Sequence, residues 1–321
     1  MKKILGLLIF YVIAIAILFI VTDLDITVLY SVNYLYVAVS CLCYFIVVLL
    51  RGKKLQVILS GKSKIPYRKS TIYSSASQFI SAFIPGRAGE ILLSTFLRIR
   101  HSFNISLILP TLFLDKVIEL VLILCFAVMS LLLFESEIIE KVVQLIPDIN
   151  ILSIIAAIVV LLLVVFILFK TKLSGFLKVT LVNIQQGLLI PIKKPYIGLS
   201  MVILSIAITL LEMGALYILL KSLIDVSFSK VIIAYSLGMI IGIISMVPGG
   251  QGTTEFSMVT VMMLWGYNLN ETILPVIISR ILTYFILGLC SVPVLPEVFQ
   301  ILRNSTRRMN LKRKRKAEQD G

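Results

Sequence analysis

The chain has 321 residues, 59% of them hydrophobic and 14% charged, with a formal net charge of +14 and a mean hydropathy of +1.07. Soluble chains sit near roughly 45–50% apolar and about 25% charged, so the composition excludes a soluble globule and makes this an integral membrane protein. Four cysteines in apolar runs (Cys41, Cys43, Cys125, Cys290) and the single histidine, His101, argue against a disulfide framework and against zinc or haem; no metal and no cofactor is expected.

Runs long enough to cross about 30 Å of hydrocarbon occur at 4–21, 32–50, 105–134, 151–169, 199–220 and 273–295. These predict six transmembrane helices. The first follows Lys2 and Lys3 and ends at Thr22-Asp23-Leu24-Asp25 without a small-residue cleavage pattern, so it reads as an uncleaved anchor. Two further apolar stretches, 71–97 and 231–265, are interrupted by Pro85-Gly86-Arg87-Ala88-Gly89-Glu90 and by Pro248-Gly249-Gly250-Gln251-Gly252. Proline removes a backbone donor and glycine weakens helix continuity, so each stretch should turn at its centre. The arms after the breaks, 91–97 and 256–265, are too short to span alone, and each stretch is predicted to be a re-entrant helical hairpin.

With both stretches re-entrant, 24 of the 30 Lys and Arg fall on one side, at 2–3, 51–70, 98–100, 170–198 and 303–316. The other side holds only Lys141, Lys221 and Lys230, and three cations remain at membrane depth: Arg87, Lys116 and Arg280. The positive-inside rule then places both termini in the cytoplasm of a multi-pass inner-membrane protein. Eight basic residues in 303–316 would suit either a nucleic-acid arm or a juxtamembrane anchor. Their place directly after the last span favours the anchor, where anionic inner-leaflet lipid contributes about 1 kcal/mol per Lys or Arg. The same holds for 51–69, and no nucleic-acid partner is expected.

The expected fold is an all-α polytopic membrane protein with six transmembrane helices and two oppositely inserted re-entrant hairpins. Residues 1–134 and 135–302 each run span, span, hairpin, span, starting on opposite sides, so the halves read as inverted repeats followed by a basic tail, 303–321. Each hairpin carries a Pro-Gly turn, then a glycine, then a glutamate: Pro85, Gly86, Gly89, Glu90 and Pro248, Gly249, Gly252, Glu255. Interruptions at matching positions of two inverted halves point to a midplane transport site.

Charges inside apolar segments are costly and face a partner or a wet cavity. The first half offers Arg87, Glu90, Asp115, Lys116 and Glu119, with Asp115 and Glu119 on one helical face; the second offers Glu255 and Arg280. A furrow of both signs suits a zwitterionic or phosphate-bearing headgroup, with Arg87 and Arg280 on phosphate and the carboxylates on amines or hydroxyls. Gly86, Gly249 and Gly250 would let backbone N–H groups approach an anion. The competing reading is structural: Pro85 and Pro248 cap short helices, and the charges pair locally. Arg280 lies deep enough to need a partner such as Glu255. Glu212, isolated in Thr209-Leu210-Leu211-Glu212-Met213, is left out of the site as a group near enough to the interface to snorkel.

Four segments, Ser81-Ala82-Phe83-Ile84-Pro85-Gly86-Arg87-Ala88-Gly89-Glu90, Leu114-Asp115-Lys116-Val117-Ile118-Glu119, Val247-Pro248-Gly249-Gly250-Gln251-Gly252-Thr253-Thr254-Glu255 and Ser279-Arg280-Ile281-Leu282-Thr283-Tyr284, resemble the lysylphosphatidylglycerol synthase transmembrane (flippase-like) family. The resemblance extends to about residue 300. It implies movement of an aminoacylated phospholipid, such as lysyl-phosphatidylglycerol, between leaflets. Freestanding members tied to lipid-linked glycan or hopanoid pathways widen the substrate class to a lipid-linked sugar, and a glycosyltransferase or aminoacyl-transferase becomes a possible partner. Asp115-Lys116 departs from the family, which often has an arginine nearer the acidic residue. Two-part members carry a soluble aminoacyl-transferase domain after the membrane region. The tail of about twenty residues here is expected not to hold one, and no tRNA surface or acyl-transfer site is visible. Phosphatidylglycerol lysyltransfer, a scaffold for a glycosyltransferase in cell-envelope polysaccharide synthesis, and a proton- or ion-coupled small-solute transporter that titrates Glu90, Asp115 and Glu255 are the alternatives.

Overall fold

The computed structural model describes residues 33–60, 65–84, 88–134, 193–245, 247–294 and 296. The runs expected to span at 4–21 and 151–169, the tail 303–321, and Pro85, Gly86 and Arg87 lie outside them. Among the described residues every regular element is a helix.

Helix α1, Tyr34–Ser60, starts where Asn33 Oδ1 accepts the Leu35 N–H at 3.0 Å, a side-chain cap on otherwise orphaned donors. It continues ten residues past the apolar run ending at Leu50, because Arg51, Lys53 and Lys54 are good helix formers and Gly52 lies flat against α2, Tyr67–Phe83. A Cβ on Gly52 would stand 2.6 Å from Thr71 Cα. Helix α3 spans Ala88–His101, and α4 Ile105–Phe134, the bounds that its apolar run predicts. Helix α5, Pro195–Lys221, opens with proline at its first position, where the missing N–H has no partner to lose. Helix α6, Phe228–Ile244, is followed by a 3-10 turn at Pro248–Gly250, by α7, Thr253–Leu264, and by α8, Leu269–Ser291.

Helices α1, α5 and α8 are long and apolar enough to cross a bilayer, and α4, at 30 residues, reaches about 45 Å at 1.5 Å per residue. By the same rise α3 and α7 reach only about 21 and 18 Å, less than the hydrocarbon thickness.

Helices α2 and α3 fold back on one another, with Tyr73 edge-on to Phe96 at 4.8 Å and a Cβ on Gly89 falling 1.9 Å from the Ser77 carbonyl. Helices α6 and α7 do the same, with Gly238 against Met258, Gly242 against Thr254, and Ser245 Oγ 2.9 Å from Thr253 Oγ1. Both interrupted stretches are therefore helical hairpins. Helices α1 and α5 run antiparallel, joined by Ser40 Oγ donating to the Ala215 carbonyl at 2.7 Å and by Lys54 Nζ donating to Ser205 Oγ at 3.1 Å. Helix α8 packs on α2, and α6 packs on α4. One apolar core, with Leu59, Leu97 and Met201, backs the first hairpin. A second, with Met213, Ile233 and Met262, backs the other, and a third, with Tyr44, Val48, Ala215 and Leu287, seals α1, α5 and α8. The polar residues lie between these cores.

Candidate functional site

The turn of the second hairpin reaches the end of α2. Gln251 Nε2 donates to the Ala82 carbonyl at 3.0 Å, and Gly249, at φ +61, comes so close that a Cβ would be 3.0 Å from Ala82 Cα. A left-handed backbone in a tight approach is a place for glycine. Beneath this contact lies a cavity of about 290 Å³ lined by residues of all eight described helices and of the 3-10 turn; Arg51, Glu90, Lys116, Glu119, Glu212 and Arg280 are its charged residues. Tyr44, Gln78, Tyr235 and Tyr284 add polar groups, while Val47, Leu120, Met239 and Met258 give it apolar wall. A smaller polar space of about 40 Å³ adjoins it, sharing Arg51, Gln78, Glu90, Lys116 and Glu119 and adding Lys54 and Asp115.

The charges are organised in pairs. Arg280 Nε donates to Glu255 Oε1 at 2.5 Å, the partnership expected for a cation so deep in its span. Glu255 Oε2 meanwhile accepts the Gly252 N–H at 2.6 Å, so one carboxylate ties the turn backbone to α8. Lys54 Nζ reaches Glu119 Oε1 at 2.5 Å and Asp115 Oδ1 at 3.1 Å, and Lys116 Nζ reaches Glu119 Oε2 at 2.7 Å. Arg51 bridges Gln78 and Glu212, whose other oxygen accepts Tyr235 Oη at 2.8 Å. Glu90, the third residue of α3, accepts Ser81 Oγ at 3.4 Å. Among the described residues two buried donors lack an acceptor, Ser236 Oγ and Arg280 Nη2, and of these Arg280 lines the cavity.

Two readings are corrected. Arg51 and Lys54 do not belong to a basic loop on anionic lipid; Lys54 is only 3% exposed, and both cations are held in the interior by carboxylates of α4 and α5. Cations held in the interior thus include these two beside Lys116 and Arg280. Glu212 does not snorkel but is fixed by Arg51 and Tyr235. The missed signal was the isolation of Glu212 itself, since a carboxylate in an apolar helix needs a cation, and Arg51 and Lys54 stand three apart on one helical face.

Of the remaining residues singled out by the sequence, Gly249 lines the cavity, whereas Gly89 serves the contact between α2 and α3. Gly250 and Gly252 belong to the turn: the Gly250 N–H already donates to the Val247 carbonyl at 2.9 Å and the Gly252 N–H to Glu255, which leaves neither donor for an anion. Pro248 opens the 3-10 turn.

Residues 3–290 match the family model described as the lysylphosphatidylglycerol synthase TM region. The chain belongs to this family. No curated protein matches it as a relative. The family match covers every charged group of the cavity, from Arg51 to Arg280, and agrees with the membrane-type helices.

Proposed function

We propose that the protein is a lipid translocator, moving a phospholipid such as lysyl-phosphatidylglycerol or a lipid-linked sugar between leaflets of the cytoplasmic membrane. The observation that carries this reading is the cavity itself, which combines fixed charges of both signs with apolar wall and a buried Arg280 N–H that has no acceptor. A charge-assisted hydrogen bond from that N–H to a phosphate oxygen contributes roughly 1.5–3 kcal/mol, and Glu90 and Glu119 suit an amine or hydroxyls at the far wall.

Helix register supports the inverted-repeat arrangement. Arg51 and Glu212 are each the eighteenth residue of α1 and α5, Glu90 and Glu255 the third of α3 and α7, and Lys116 and Arg280 the twelfth of α4 and α8. On this reading the hairpins enter from opposite faces and meet near the bilayer centre, both termini are cytoplasmic, and the two halves rock to expose the cavity to one leaflet at a time. The headgroup passes through the polar interior while the chains stay in lipid, against exposed apolar residues such as Ile91, Ile244 and Phe256.

The test is a leaflet-exposure assay on purified protein in vesicles carrying fluorescent phosphatidylglycerol, its lysyl form, or a polyprenyl-phosphate sugar. Crossing of one of these with wild type, lost in Glu255→Gln, is the expected result and names the substrate. Equal crossing by protein-free vesicles and wild type for all three would sink the reading.

A further inference from the structure

The two halves are matched in register but not in charge. In the first, Lys54, Asp115, Lys116 and Glu119 are residue twenty-one of α1 and residues eleven, twelve and fifteen of α4. The same positions of α5 and α8 hold Ala215, Ser279, Arg280 and Thr283. The second half needs one cation there, and that cation, a guanidinium, does not give up its proton. Three further charges in the first half are costly at membrane depth, and two of them, Lys54 and Asp115, do not line the main cavity where a headgroup would sit.

Their surroundings define that role. Asp115 is 5% exposed, and its Oδ1 accepts no hydrogen bond although Lys54 Nζ lies 3.1 Å away. It borders the small polar space of about 40 Å³, which is room for a water molecule and opens to the main cavity through the shared Glu90, Lys116 and Glu119. The groups facing Asp115 come from each neighbouring element: Lys54 and Arg51 from α1, Glu90 from α3, Lys116 and Glu119 from α4 itself. Helix α2 offers only the neutral Ser74, Ser77 and Gln78. Helix α5 offers Ser205 on Lys54, and Glu212, whose charge Arg51 and Tyr235 of α6 already meet. With Arg51 and Glu212 cancelling, three carboxylates (Glu90, Asp115, Glu119) remain against two ammonium groups among the described residues.

We infer that this first-half cluster is a proton site, with Asp115 the acceptor, and that its filling and emptying is coupled to the separation of α4 from α1. A hydronium ion reaching the cavity gives its proton to an Asp115 carboxylate oxygen, leaving water, and the cluster becomes neutral; release reverses the transfer and no electrons move. Lys54 is the strap that holds α4 to α1, through Asp115 and Glu119. Protonated Asp115 no longer holds it by charge, so α4 is freed on one side. The purpose of the coupling rests on the transport reading, whereas the existence of the site does not.

Infrared difference spectra of the purified protein, in phosphatidylglycerol–phosphatidylethanolamine vesicles taken from mildly alkaline to mildly acidic buffer, read the proton directly. The account expects a protonated-carboxyl band in wild type that is lost in Asp115→Asn and, should that variant fail to fold, is lost from the same pH interval in Glu119→Gln. A band of wild-type size in either variant overturns the site. In parallel, crossing of fluorescent phosphatidylglycerol under pH gradients of either sign should respond in wild type and lose that response in Asp115→Asn. Indifference of wild type to both gradients overturns the coupling. If no lipid crosses at all, the transport reading falls and the infrared band alone decides the proton site.

Discussion

Arg280 shows how a single side chain can be tied and available at once. Its Nε is held by Glu255, which fixes the guanidinium plane, and its Nη2 is left for an acceptor that no described residue supplies. Arg280→Lys keeps the charge and loses the fork, so insertion should persist while lipid crossing falls roughly tenfold to a hundredfold, the equivalent of about 1.5–3 kcal/mol, as timed in vesicles. His101, at the base of the first hairpin beside Tyr73 Oη at 3.2 Å, makes a different prediction. Burial and the nearby Lys69 and Arg100 lower its pKa. A histidine of lowered pKa is neutral in the folded state, so its contribution is present above the unfolded pKa of about 6.5 and is lost as pH falls below it. Wild type should therefore lose thermal stability faster than His101→Gln on acidification from neutral; identical pH profiles would refute this. At this scale the sequence revealed residues whose expense is visible within an apolar run, such as Arg280 and Asp115. It concealed Arg51 and Lys54, which follow Leu50 and stand beside Lys53, and so look like an ordinary basic flank until the fold turns them onto α4 and α5.

Elements were more legible. The continuous apolar run gave α4 its bounds, and the Pro-Gly interruptions fall between the two arms of each hairpin, because breakers act locally. What local patterning could not carry was how far a polar helix end continues: beyond the helix propensity of its residues, α1 reaches Ser60 because Arg51, Gly52 and Lys54 are held against other helices, a tertiary effect. Close packing of the hairpin arms depends on Gly89. Since an added Cβ would meet the Ser77 carbonyl, a backbone atom, at 1.9 Å, Gly89→Ala should force the arms apart and cost about 1–3 kcal/mol. Gly214→Ala, with nothing within 4 Å of the added carbon, should be neutral or stabilising by up to about 1 kcal/mol. Unfolding midpoints of the two purified variants test the contrast, and equal destabilisation would argue against the observed hairpin packing.

For the whole molecule, the ion pair between α1 and α5 matters most. Arg51 and Glu212 join α1 to α5, and removing one partner of such a largely buried pair costs up to about 3–5 kcal/mol. Arg51→Glu or Glu212→Arg alone should therefore lower the yield of folded protein sharply, and the double exchange should recover most of it; failure of the exchange to improve on both singles would show that the pair is not the tie between α1 and α5. The translocator account makes a stronger demand, because a headgroup can cross only if the contact between Ala82 and the Gly249–Gln251 turn opens and closes. The decisive measurement places cysteines at Ala82 and Gln251 in a chain whose four native cysteines are replaced, joins them with a short reducible cross-linker, and follows fluorescent phosphatidylglycerol across vesicle leaflets before joining, after joining and after reduction. The account predicts crossing that stops on joining and returns on reduction. Crossing at an unchanged rate with the two halves locked together would contradict it.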